Sequence, residues 1–130
     1  MAKYFTREEI LEVQDLPFED VVVPEWGEDM VRVAGMNALE ATRYSLRMEK
    51  LNENEQTETI MPELLSRTLV NDQFERIFSE KDIEALGKKS AVVVKRLFEI
   101  ALRLSGISEA AIEEQAKNSG GTPADDLLSG

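Results

Sequence analysis

The chain contains neither cysteine nor histidine. That excludes disulfides, thiol nucleophiles, thiolate metal sites and every catalytic pair or triad built on imidazole, and it removes both preferred ligands of zinc. Basic residues are outnumbered: 15 Lys and Arg stand against 26 Asp and Glu, a formal net charge of −11. A surface of that sign repels nucleic-acid phosphates and anionic lipid, so neither nucleic acid nor membrane is an expected partner. No apolar run is long enough to span a bilayer, and the opening MAKYFTREEI lacks the hydrophobic stretch of a signal peptide. The expectation is a protein that stays in the cytoplasm of the cell that makes it. An enzyme would be left with carboxylates, lysine or a metal held by oxygen.

What is present suits one small domain: 130 residues, 42% hydrophobic and 32% charged. The pattern predicts a mainly α fold, a small helical domain over 1–117 with a short β-hairpin near 19–34, then a flexible tail over 118–130. Thr6 followed by Glu9 is a capping box opening a short helix to about Val13. Glu19 to Val23 and Met30 to Val33 are short extended candidates around the turn Val23-Pro24-Glu25-Trp26-Gly27. Asn37 caps a helix to about Leu51, with Leu39, Tyr44, Leu46, Met48 and Leu51 as its apolar face. Asn52 to Thr59 reads as a loop or frayed continuation. A helix over Ile60 to Val70 follows, with Pro62 near its first turn. Phe74, Ile77 and Phe78 read as anchors in an irregular link.

The most legible stretch is Asn71 to Gly106. Ser79 starts a helix ending at Gly87, which reads as a left-handed cap. Ser90 starts another over Ala91 to Leu104, apolar except for the stripe Lys95, Arg96, Glu99 and Arg103, and so predicted to be the central core helix. Lys95–Glu99 and Glu99–Arg103 are expected as i, i+4 ion pairs. Ser108 caps a last, weakly anchored helix to about Lys117.

No residue set makes a persuasive catalytic or metal site. Asn52, Asn54, Gln56 and Glu63 fall at calcium-loop spacing, but Thr57 stands where glycine is needed and the opening residue is not acidic. Glu53, Glu55, Glu58, Asp125 and Asp126 lie in polar stretches without the burial that separates catalytic pKa values. Neither a catalytic residue nor a cofactor is expected. The one tryptophan, Trp26, either folds back on the core or anchors a partner, since tryptophan is enriched at interface hot spots. Beside it, Val21-Val22-Val23 is a candidate open strand edge, which invites pairing with another chain. Val21, Val23 and Trp26 are therefore the candidate oligomer contact.

The order of these elements resembles the tail assembly chaperones of long-tailed, siphovirus-type bacteriophages. The resemblance is carried by Val23-Pro24-Glu25-Trp26-Gly27, Val31-Arg32-Val33, the pair Arg43-Tyr44, the helix at Leu64–Val70, the run Ile77 to Leu86, and Leu104-Ser105-Gly106. It covers Phe18 to Gly106. It implies a protein made in the infected cell and absent from the mature virion, which binds the tape measure protein and keeps it soluble. It further implies contact with the tail tube protein, self-association, and a longer form of the chain made by programmed frameshifting. Ala116-Lys117-Asn118 and Ser119-Gly120-Gly121 can each be encoded with a slippery heptamer. Two other readings stand beside it: a structural tail or connector protein of the virion, and an acidic regulator of a host DNA-binding protein.

Overall fold

The computed structural model describes residues 3–107. The helix expected after Ser108 and the tail over 118–130 lie outside them. Five α-helices and three strands run in the order α1 (Arg7–Glu12), β1 (Phe18–Val22), β2 (Met30–Ala34), α2 (Ala38–Glu49), α3 (Glu53–Thr68), β3 (Leu69–Val70), α4 (Ile83–Gly87) and α5 (Ala91–Leu104), with a 3-10 turn at Glu80–Asp82 before α4. This is the mainly α domain with a short N-terminal hairpin that the sequence predicts.

Several helix ends follow from local chemistry. Thr6 and Glu9 exchange the two hydrogen bonds of a capping box. Asn37 accepts from Glu40 N–H at 2.8 Å, and Ser90 starts α5. At the end of α5, Gly106 takes a left-handed φ of 72°, Ile107 N–H donates to Leu102 C=O at 3.0 Å, and Gly106 N–H donates to Arg103 C=O at 3.2 Å. That is a Schellman cap, and the buried Ile107 supplies its hydrophobic contact. Gly87, by contrast, is the last residue of α4 and has no left-handed φ; Lys88, in a right-handed conformation, ends that helix.

The segment from Asn52 is not a loop. Asn52 and Glu55 form a second capping box, and α3 starts at Glu53. Gln56 is buried in its first turns and donates to the carbonyls of Met48 at 2.7 Å and Leu51 at 3.2 Å, which ties the start of α3 to the end of α2. Pro62 consequently lies inside the helix rather than near its start. From Pro62 to Val70 every residue is buried. The central element is therefore the second half of α3, not α5, which shows Val92, Lys95, Glu99 and Arg103 to solvent. The sequence hides this because the buried stretch carries Glu63, Ser66, Arg67 and Thr68. Ser66 and Thr68 hydroxyls donate to the backbone carbonyls of Glu63 and Leu64, and Arg67 donates to Glu63 at 3.2 Å and Glu40 at 3.0 Å.

Leu69–Val70 leaves the helix to become a third strand. The sheet is antiparallel in the order β1-β2-β3, with Val33 opposite both Glu19 and Leu69. The hairpin thus gains a partner that a lone hairpin lacks. Val23, Val33, Tyr44, Met48, Leu64, Leu65, Val93 and Leu97 form the centre of the core. Tyr44 keeps its buried hydroxyl satisfied by donating to Ile60 C=O at 3.0 Å, and burial pushes its phenol pKa well up. On α2 only Tyr44 and Met48 face this core, one helical turn apart; Leu39 and Leu46 point outward. Val92 and Ile77 are likewise exposed, while Phe78 packs against the core.

Candidate interaction site

The hairpin tip is built by the turn after β1. Trp26 and Gly27 N–H groups both reach Val23 C=O, at 2.9 and 3.2 Å, and Gly27 takes a φ of 132°, which side-chain-bearing residues rarely adopt. This turn swings Glu25 over α5, where Arg96 grips its carboxylate with two hydrogen bonds of 3.1 and 2.8 Å. That grip holds the Glu25 carboxyl down at about 2. Arg103, two turns along α5, reaches Glu19 on β1 at 2.6 Å. The polar stripe of α5 is thus a latch on the hairpin: Arg103 takes Glu19 in place of the expected Glu99, and the expected Lys95–Glu99 pair does not form among the described residues.

With the tip held in this way, Trp26 borders a cavity of about 300 Å³ whose other walls are Phe78, Ala85, Leu86 and Lys89. Trp26 therefore leans on α4 yet stays 44% exposed. Of the two valines grouped with it, Val21 is partly buried against the core and Val23 is fully buried. Val23 thus anchors the tip from inside, and its side chain is not on the surface. The outward residue of that run is Val22, half exposed on β1. β1 is the edge strand of the sheet, so its outer backbone groups have no strand partner.

At the opposite end of β1, Arg32 forks onto Asp20 with bonds of 2.7 and 3.0 Å and stacks over Phe18 and Phe74, 4.4 and 5.0 Å from their centroids. Phe74 meets Phe18 edge-on at 5.1 Å and takes a φ of 63°, a strained conformation for an aromatic residue. The Asn71 side chain imposes it by accepting from the backbone N–H groups of Gln73 and Glu75. A second charged cluster lies between α2 and α3. Arg43, Arg67 and Arg76 converge on Glu40, and Arg47 and Arg67 on Glu63, which is fully buried. Local spacing could have paired Glu40 with Arg43 and Glu63 with Arg67, but Arg67 and Arg76 reach Glu40 from 27 and 36 positions away, links that no local pattern shows.

A small helical domain with a latched hairpin, an open strand edge and an apolar cavity at its tip has the character of a protein-binding domain. The chain belongs to the phage tail assembly chaperone family, whose model matches residues 14–118. Among solved structures it is similar to the tail assembly chaperone of bacteriophage HK97, with a TM-score of 0.57 and 19% identity, covering 78% of this chain and 95% of that one. At that identity the likeness establishes the shared fold. No curated protein matches the sequence.

Proposed function

We propose that this chain is a holdase for the tape measure protein during tail morphogenesis, acting in the cytoplasm of the infected cell and leaving before the virion is complete. The observation that carries this reading is the family match over 14–118, on a domain that keeps Val22, Trp26, Ile77 and Val92 on its surface. A long helical client that has not yet been sheathed exposes apolar faces prone to aggregation. A protein that binds such states keeps them soluble by mass action. Many copies along one client gain avidity from lateral contacts, and in this reading the β1 edge and Trp26 supply them. A net charge of −11 would keep the coated complex dispersed. The tail tube protein and a frameshifted longer form of the chain are the further partners in this scheme.

The test is co-expression with the tape measure protein. Its soluble fraction should rise with this chain present and fall back with Trp26→Ala plus Val22→Lys, and the two proteins should co-purify. A client equally insoluble with and without the chain defeats the proposal. Abundant peptides of this chain in purified particles would instead favour a structural component of the virion. A single product of one mass, seen by intact-mass analysis of infected cells, would remove the longer form.

A further inference from the structure

We propose that the N-terminal arm, residues 3–16, docks in the Trp26 cavity of a second copy of this chain, so that copies associate by exchanging arms. The inference rests on the self-association part of the reading above. It concerns a segment almost wholly outside the family match, which begins at residue 14.

The arm is a formed helix with nothing to lie on. α1 has no buried residue, and Tyr4, Phe5, Ile10, Leu11 and Val13 are 88, 71, 56, 67 and 51% exposed. Phe5 and Ile10 hold the two positions of a hydrophobic staple around the Thr6 cap. A helix this short is unstable alone in water even when well capped, so its stability must come from packing supplied elsewhere. Among the described residues, the only α-helix with no buried residue is also the densest run of exposed large apolar side chains.

Charge selects the groove. Two copies of a chain at −11 repel one another, so they can meet only where local charges are opposite. In the arm Lys3 and Arg7 pair with Glu9 and Glu8, which leaves Glu12 and Asp15 without an ion pair among the described residues. Lys81, Lys88, Lys89 and Lys95 fall in a stretch that also carries Glu80, Asp82 and Glu84, and Lys88 pairs with Glu84. Lys89 lines both the Trp26 cavity and the neighbouring one of about 280 Å³, whose walls include Met61, Val94, Lys95 and Glu58. Lys89 and Lys95 make no ion pair among the described residues. The result is an apolar floor with two unpaired lysines on a rim shared with Glu58, facing an apolar helix with acidic flanks.

Reach decides between the chain's own groove and a neighbour's. The arm leaves the domain at Pro17, whose carbonyl is held by Gly35 N–H at 2.8 Å, at the end of β1 away from Trp26. The strand from Phe18 to Val23 covers about 17 Å, and the linker from Val13 to Pro17 spans at most about that when fully extended. It is not extended: Gln14 folds it by accepting from Leu16 N–H at 2.7 Å and donating to Leu16 C=O at 3.1 Å. A neighbour's groove needs no such stretching. One arm supplies roughly half of the 20–30 residues that each side of a specific interface uses, and reciprocal exchange in a two-fold pair supplies the rest.

The experiment uses the full chain and its single tryptophan, which sits in the proposed groove. Sedimentation should show concentration-dependent association, with Trp26 emission shifting to the red on dilution. Ile10→Ser with Leu11→Ser should weaken association by at least about tenfold and leave the emission red-shifted at all concentrations. Lys89→Glu with Lys95→Glu should weaken it too, and adding Glu12→Lys with Asp15→Lys should restore it. Association unchanged in the Ile10/Leu11 variant would overturn the arm while leaving self-association standing. A wild-type chain that stays monomeric at every concentration would overturn both. A monomer with dilution-independent blue emission that the Ile10/Leu11 variant loses would place the arm in its own groove and overturn exchange.

Discussion

Replacing Gly35 by alanine tests whether the hairpin and α5 form one rigid unit. Gly35 follows β2 where the chain passes the C-terminus of α5. A Cβ there would fall inside contact distance of the Leu104 carbonyl oxygen, 3.0 Å from the carbonyl carbon and 3.2 Å from Pro17 Cγ. Carbon approaches a carbonyl oxygen no closer than about 3.3 Å in ordinary contacts, so the strand end must retreat by about 1 Å. Two hydrogen bonds hold it in place: Gly35 N–H to Pro17 C=O at 2.8 Å and Met36 N–H to Ser105 Oγ at 3.0 Å. A retreat of that size takes both out of bonding range, at about 1 kcal/mol each, and residual strain adds about 1–3 kcal/mol. The expected destabilisation is about 3–5 kcal/mol. In urea, with a slope of about 2 kcal/mol/M, the midpoint should fall by about 1.5–2.5 M. Gly87→Ala is the control. Its Cβ would meet Pro62 Cγ at an ordinary 3.7 Å and its φ is not left-handed, so it should be neutral or stabilising by about 0.5 kcal/mol. Gly35→Ala within about 0.5 kcal/mol of the parent would refute the rigid docking of β2 on α5.

Three further outcomes are expected. Glu63→Gln strands a buried Arg67 that keeps only Glu40, and should cost about 3 kcal/mol in chemical denaturation; a loss under about 1 kcal/mol would mean the cluster is well hydrated. Glu25 is held below its ordinary pKa by Arg96, so its contribution to stability is complete above the unfolded carboxylate range and is lost as pH falls from about 4.5 towards 2. Glu25→Gln should therefore flatten the acid limb of a thermal-melt pH profile over that window, and an unchanged limb would contradict the latch. Phe74→Ala loses the ring contacts but keeps the strained φ, whereas Phe74→Gly loses the contacts and relieves it. Glycine should therefore be the milder substitution by about 1 kcal/mol, and the usual order, alanine milder, would argue against strain at that turn.

The candidate interaction site was partly legible in the sequence. The Pro-Glu-Trp-Gly run announced a turn between two short extended segments, and left its tryptophan either folded back on the core or free to meet a partner. Which valine faces out was not legible. Val21 and Val23 point inward and Val22 outward only because β1 pairs with β2 in one register, and a shift by one residue would reverse all three. Phe78, Leu86 and Lys89, which complete the cavity, lie more than fifty positions from Trp26, and no local pattern links them to it. The exposed Tyr4, Phe5, Ile10 and Leu11 were visible as residues, but that they pack on nothing became visible only in the fold.

The sequence alone determined what depends on neighbours within four positions. The capping boxes, the cap at Gly106 and the apolar face of α5 are set by hydrogen bonds and periodicity that close within a turn or two, and the lack of cysteine and histidine had already removed most catalytic chemistry. Tertiary structure decided what depends on distant partners. Gln56, a polar residue, is buried in α3 because the carbonyls of Met48 and Leu51 at the end of α2 meet its amide. Leu69–Val70 leaves the helix because β2 offers it a ladder. Arg96 and Arg103 pass over Glu99 because a folded hairpin brings Glu25 and Glu19 within reach. A helix with Glu63 and Arg67 in its second half can be the most buried in the domain because the two pair with each other while Arg47 and Glu40, from another helix, pair with Glu63 and Arg67 respectively.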